Sequence, residues 1–243
     1  MLMTTLVASA ASAVLPSALW GRGWLRLRRM ELEYNIRMAQ SLGHASTLRD
    51  HETGAHNIRV AYLASMFGVA WGLDKTQMRS LMKGAFLHDI GKIGIPDSIL
   101  LKSGTHDEQE RVVMQKHPEL GRELISEMPW FKDAVPVILH HHERFDGSGY
   151  PHGLAGTDIP VTARLFAVID VFDALLSSRP YKRALSLEET LSVIRNGSGS
   201  HFDPSVAALF LRLAPDFFAA ISEQTETELE NLLTERRRQV FGM

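Results

Sequence analysis

From Met30 to the C-terminus, apolar residues recur at intervals of three and four, the period that places them on one face of a helix. No stretch alternates apolar and polar residues strictly enough to predict a half-buried strand, so the pattern predicts an all-α chain. Start signals support it. Thr105 with Glu108 and Ser186 with Glu189 stand at capping-box spacing, and Asp203 before Pro204 suits an N-cap followed by the first helical residue. "GIPDSILLKSG" and "FDGSGYPHGLAGTDIP" read as loops, the latter too rich in glycine and proline to be regular. "TETELENLLTERRRQV" predicts an exposed amphipathic helix with an acidic start and a basic end, matching the helix dipole.

One break in this pattern carries chemistry. In "KGAFLHDIGKIGIP", His88 and Asp89 stand side by side among small and aliphatic residues, and an apolar setting requires such a pair to have a partner. Similar breaks recur. Glu52 and His56 in "RDHETGAHNIRV" are four apart, on one helix face. His117 lies in "MQKHPEL", three successive histidines open "HHHERFDGSGYP", and Asp170 and Asp173 occupy core-type positions in "VIDVFDALLSSRPYK". Any one of these has an ordinary explanation, because a lone histidine on an apolar face is usually a satisfied core residue. Together they would need many separate burial partners, and shared cations explain them more economically.

Composition narrows the cation. The 243-residue chain has no cysteine, which excludes disulfides and thiolate metal sites, so a metal would be held by nitrogen and oxygen. Imidazoles with carboxylates suit iron or manganese, with nickel, cobalt or zinc able to enter by affinity. A net charge of −2 excludes broad attraction to nucleic acid polymers or anionic lipid, and a phosphate ligand would have to be drawn by a local positive site.

Residues 1–29 stand apart from the domain expected over 30–243. Residues 4–20, "TTLVASAASAVLPSALW", are uncharged and precede Arg22, Arg26, Arg28 and Arg29, as a membrane anchor would, but Pro16 interrupts them and they are weakly hydrophobic. The expectation is a cytoplasmic protein with a flexible leader, N-terminal membrane attachment being the alternative.

The set "LHDIGK", "HHERFDGSGYP" and "VIDVFDALLSSRPYK" resembles the HD-GYP family of cyclic di-nucleotide phosphodiesterases, within the HD-domain metallohydrolases. The likeness runs from about Arg49 to Pro204, and the Gly149, Tyr150, Pro151 triplet is its most specific part. It implies an all-α helical bundle of the HD-domain type with a metal site between helices. It further implies that His56, His88, Asp89, His117, His141, His142 and Asp170 bind metal, with Asp89 bridging, and that Glu52 helps to hold a third ion. Two or three divalent ions are therefore implied, iron first and manganese second. His88, Asp89 and Lys92 would form the catalytic set. Lys92 would touch substrate phosphate, Tyr150 would rim the pocket, and Asp173, Arg179 and Lys182 would line the nucleotide side. Cyclic di-GMP is the implied substrate, opened to pGpG with onward hydrolysis to GMP left undecided. Diguanylate cyclase domains are implied partners through the loop at Tyr150, and homodimerisation is left open. His140 has no ligand counterpart in the family pattern. Asp146 and Glu143 are candidate acceptors for the ligating histidines, by nearness in sequence alone. The pattern departs at Ile169, where many relatives have alanine, and at "KSGTHDEQE", where a proline often follows the lysine; neither touches a proposed ligand.

Overall fold

The computed structural model describes residues 26–27, 30–45, 54–178 and 183–241. Contacts divide the chain into Met1–Met38 and Ala39–Met243. The first unit is helical over 26–27 and 30–38. Apart from residues 26–27, the leader expected over 1–29 lies outside the described residues.

The second unit opens on helical residues 39–45 (α1). It continues with α2 (Gly54–Trp71), α3 (Lys75–Leu87), α4 (Asp97–Leu100), α5 (Glu108–Met114), α6 (His117–Ser126) and α7 (Val135–His140), followed by α8 (Val161–Leu176), α9 (Leu187–Asn196), α10 (Pro204–Ser222) and α11 (Glu226–Phe241). No strand forms among the described residues, only the isolated bridges Asp146–Ala155 and Ser198–Phe202. The all-α expectation agrees with this architecture.

Capping signals mark several of the helix starts. The Ser186 hydroxyl accepts from Glu189 N while the Glu189 side chain reaches back, and Asp203 caps α10 with Pro204 as its first residue. α5 differs from expectation. Its capping box pairs Asp107 with Glu110, and Glu108 is the first helical residue rather than the partner of Thr105. Asp107 stands at the same spacing, and its ionised oxygen accepts Glu110 N–H more strongly than a hydroxyl would.

α2 is apolar almost all round and is accordingly surrounded by α3, α8, α10 and α11. Phe67 of α2 meets Phe210 and Phe217 of α10 edge-on at 5.2 and 5.8 Å, and Phe210 meets Phe172 of α8 at 5.0 Å. All four rings are buried. This aromatic cluster ties α2 to α8 and so fixes the spacing between His56 and Asp170. Among the described residues one helix, α10, is long and apolar enough by composition to cross a membrane. Its buried side chains, Val206, Phe210, Ala214, Phe217 and Ile221, fall at helical spacing and face the core.

Candidate metal centre

Five segments bring the polar residues together. His56 lies in the first turn of α2, His88 and Asp89 follow the end of α3, His117 begins α6, His141 and His142 follow α7, and Asp170 lies in α8. The turn after Asp89 is a 3₁₀ segment, Ile90–Gly94, packed hard against α6. Glycine at position 91 makes that approach feasible, since a Cβ there would stand 1.9 Å from the His117 carbonyl oxygen and 2.4 Å from Gly121 N. The same contact sets His117 beside Asp89.

The ligand-type atoms form two groups, one of Asp89, His117, His141 and His142 and one of His56, His88 and Asp170. Asp89 faces both. Its Oδ1 lies 3.2 Å from His117 Nε2 and 3.8 Å from His141 Nε2, and its Oδ2 lies 3.3 Å from His88 Nε2. Asp170 Oδ1 is 3.5 Å from His56 Nε2 and 4.0 Å from His88 Nε2.

Tautomers can be assigned from the outer contacts. Nδ1 of His88 lies 3.0 Å from Ala85 O, Nδ1 of His117 lies 2.9 Å from Met114 O, and Nδ1 of His141 lies 3.0 Å from Ile138 O. A carbonyl only accepts, so each Nδ1 carries a proton, and in the neutral ring, the form a metal ligand requires, each Nε2 presents a lone pair inward. His117 Nε2 and His141 Nε2 then face each other at 3.4 Å, lone pair to lone pair. A divalent cation resolves that repulsion, and the donor set of neutral imidazoles and carboxylates fits one.

The charges agree. Burial, then repulsion from His141 and His117, holds the His142 imidazole well below its ordinary range. Burial also lowers the His141 imidazole, opposed by its contact with Asp89. Burial disfavours the Asp89 carboxylate, yet Lys92, His88 and contacts from His117 and His141 keep it well below the usual carboxyl range. Lys92 Nζ lies 2.8 Å from Asp89 Oδ2. Tyr150 stacks on His142 with ring centroids 4.7 Å apart, and burial raises its phenol, so it keeps its proton at neutral pH.

Asp173 lies elsewhere than expected. It is 1% exposed, receives His56 Nδ1 at 2.7 Å, and receives Arg59 Nε and Nη2 at 2.6 and 2.9 Å. Three residues beyond Asp170, it turns toward α2 instead of toward a ligand pocket, and there it fixes the His56 tautomer so that Nε2 faces Asp170. Burial opposes its charge, but the bonds from His56 and Arg59 hold its carboxyl below the usual range. Asp173→Asn is expected to reduce metal affinity by about 10- to 100-fold. Metal-competition titration checks this, and unchanged affinity would remove Asp173 from the positioning role.

Arg59 was not legible as a site residue, although its spacing of three from His56 places it on the same helix face. Neither Asp146 nor Glu143 supports the three histidines whose Nδ1 atoms meet carbonyls. Asp146 bonds Ser148, and buried Glu143 accepts the backbone N–H groups of His152 and Leu154 at 2.8 and 3.1 Å. Glu143 thereby anchors the loop that carries Tyr150. A Cβ at Gly149 would come within 2.3 Å of Arg144 N, so only glycine fits beneath that anchor. Glu52, Arg179 and Lys182 lie outside the described residues.

A family model described as an HD domain matches residues 37–206. The cyclic di-GMP phosphodiesterase response regulator RpfG of Xanthomonas campestris pv. campestris is 44% identical over 173 residues, covering 70% of this chain and 46% of that protein. The 3'3'-cGAMP-specific phosphodiesterase 2 of Vibrio cholerae is 40% identical over 197 residues, covering 80% of this chain and 37% of that protein. This chain thus spans less than half the length of either relative. A crystal structure of a cyclic GMP-AMP specific phosphodiesterase of V. cholerae (V-cGAP3) superposes with a TM-score of 0.59 at 19% identity, covering 84% of this chain and 58% of that one. At that identity the likeness concerns the fold.

Proposed function

The chain belongs to the HD-domain family, in its HD-GYP branch, and from that premise we propose that it is a metal-dependent phosphodiesterase that opens cyclic di-GMP to pGpG. The observation that carries the proposal is the position of Asp89, which offers one carboxylate oxygen to each of the two ligand groups. In this reading Asp89 would be shared between two ions, one held by His117, His141 and His142 and the other by His56, His88 and Asp170. On the resemblance, Glu52 would join the set in a trinuclear form. Iron is the proposed resident metal, with manganese second, since the donors are nitrogen and oxygen only.

Divalent ions bound there would supply an activated water and offset charge on the phosphate. The chain's own residues do the rest. The three carbonyl contacts to Nδ1 keep imidazole lone pairs aimed inward. Asp173 and Arg59 hold His56 in register. Lys92, partly exposed beside Asp89, would meet a phosphate oxygen, and protonated Tyr150 would close the side next to His142. Arg179 and Lys182 are proposed to extend the anion site, and the loop at Tyr150 to receive diguanylate cyclase domains, both on the resemblance. The proposed location is the cytoplasm, where cyclic di-GMP would be met.

Lys92→Ala is expected to leave the metal count unchanged and to reduce kcat/KM by about 10- to 100-fold, the loss of one charged phosphate contact. Steady-state kinetics together with elemental analysis check it; unchanged kinetics would remove the phosphate role.

A second reading, hydrolysis of another cyclic dinucleotide, is favoured by the 40% identity to the 3'3'-cGAMP-specific relative. Product analysis over cyclic di-GMP, 3'3'-cGAMP and cyclic di-AMP, with iron or manganese under reducing conditions, separates the two. Preferred cleavage of cyclic di-GMP to pGpG is expected. Preferred cleavage of 3'3'-cGAMP favours the second reading, and binding without product at any metal loading would leave a sensing module instead.

A further inference from the structure

His140 has no place in the centre described above, although it directly precedes His141. Consecutive helical residues point about 100° apart, so the two rings serve different surroundings. The His141 ring meets His88, His117 and Phe166. The His140 ring instead meets His152, 5.5 Å away across the loop that follows Pro151. His140 Nδ1 is buried and makes no hydrogen bond among the described residues, and Glu143 Oε1 lies 3.7 Å from it. Ligand-type atoms of His140, Glu143 and His152 all lie within 4.8 Å of one another.

We propose that His140, Glu143 and His152 form a separate single-ion site for a divalent transition cation of the zinc class. Two imidazoles and one carboxylate are a donor set that zinc accepts, leaving a fourth position to water or another oxygen. Glu119 could supply that oxygen, since its Oε1 lies 3.9 Å from His152 Nε2. Glu143 is the fixed member. It is buried, its carboxylate is oriented by the N–H groups of His152 and Leu154, and each oxygen retains a lone pair for a metal. His152 is half-exposed, so its ring can close the remaining distance by rotation. An ion there would tie the loop carrying Tyr150 to the end of α7. The site would thus regulate the pocket wall without belonging to the catalytic ligand set.

The test uses crystals of the full chain soaked in zinc chloride, with anomalous difference maps recorded at the zinc edge. A peak between His140, Glu143 and His152 is expected, apart from any peak at Asp89. His152→Ala should lose that peak and retain those at Asp89. His140→Phe provides the same comparison should the alanine variant fail to fold. In solution, each variant should hold one zinc fewer per chain than the parent after desalting. Zinc at Asp89 with none at His140 overturns this site and leaves the proposed function standing. A peak that survives in both variants also overturns it. Zinc at His140 with no metal of any kind around Asp89 would instead sink the proposed function alone.

Discussion

Asp89→Ala is expected to lower phosphodiesterase turnover by about a thousandfold or more and to strip metal from the protein, while the far-ultraviolet circular dichroism stays helical. Two features make this the largest functional effect. Among the described residues Asp89 is the one carboxylate that faces both ligand groups, with His117 Nε2 at 3.2 Å from one oxygen and His88 Nε2 at 3.3 Å from the other. Its removal therefore weakens both ion positions at once. Loss of metal assistance to a phosphoryl transfer forfeits several kcal/mol of transition-state stabilisation, and about 4 kcal/mol corresponds to a thousandfold in rate. The fold should survive because the helices are held by the aromatic cluster of Phe67, Phe172, Phe210 and Phe217, which lies in α2, α8 and α10 rather than in the turn that carries Asp89. Elemental analysis and a turnover assay on the same preparation decide it. Full metal content with normal rate would remove the bridging role.

Gly91→Ala is expected to reduce stability by about 3 kcal/mol, the upper range of overpacking effects, and to abolish most activity. The added methyl would stand 1.9 Å from the His117 carbonyl oxygen and 2.4 Å from Gly121 N, both backbone atoms of α6. Backbone cannot rotate aside as a side-chain tip can, so the turn and α6 must separate. His117 begins α6, and separation carries its Nε2 away from Asp89 Oδ1. For a domain of this size such a loss lowers the melting temperature by roughly 10 °C. Calorimetry and the turnover assay should therefore fall together. A variant that melts with the parent and turns over normally would contradict the close approach.

Much of this arrangement could be anticipated from residue order. Apolar spacing marks the helices, and Ser186 with Glu189 and Asp203 with Pro204 mark two of their starts. Thr105 misled because two acceptors, Thr105 and Asp107, compete for neighbouring positions, and the choice between them depends on relative strength that spacing does not encode. The metal-type residues were legible because charged and imidazole groups interrupt apolar helical faces, which is costly without a cation. Asp173 shows where such reasoning fails. A buried acid next to another acid could serve substrate, metal or a ligand's tautomer, and only the approach of α2 to α8 decides that it serves His56 and Arg59. Glu143 is similar. Its neighbours in sequence are histidines, but its hydrogen bonds run to the backbone nine and eleven residues onward. Tertiary proximity of that kind leaves no periodic trace.

The central claim is that two cations lie side by side across Asp89. X-ray absorption at the edge of the resident metal, on protein purified without oxygen, tests it most directly. The account predicts nitrogen and oxygen neighbours without sulfur and a metal–metal vector of about 3.5–4 Å, with at least two ions per chain. A mononuclear spectrum lacking that vector in fully metal-loaded, active protein would contradict it.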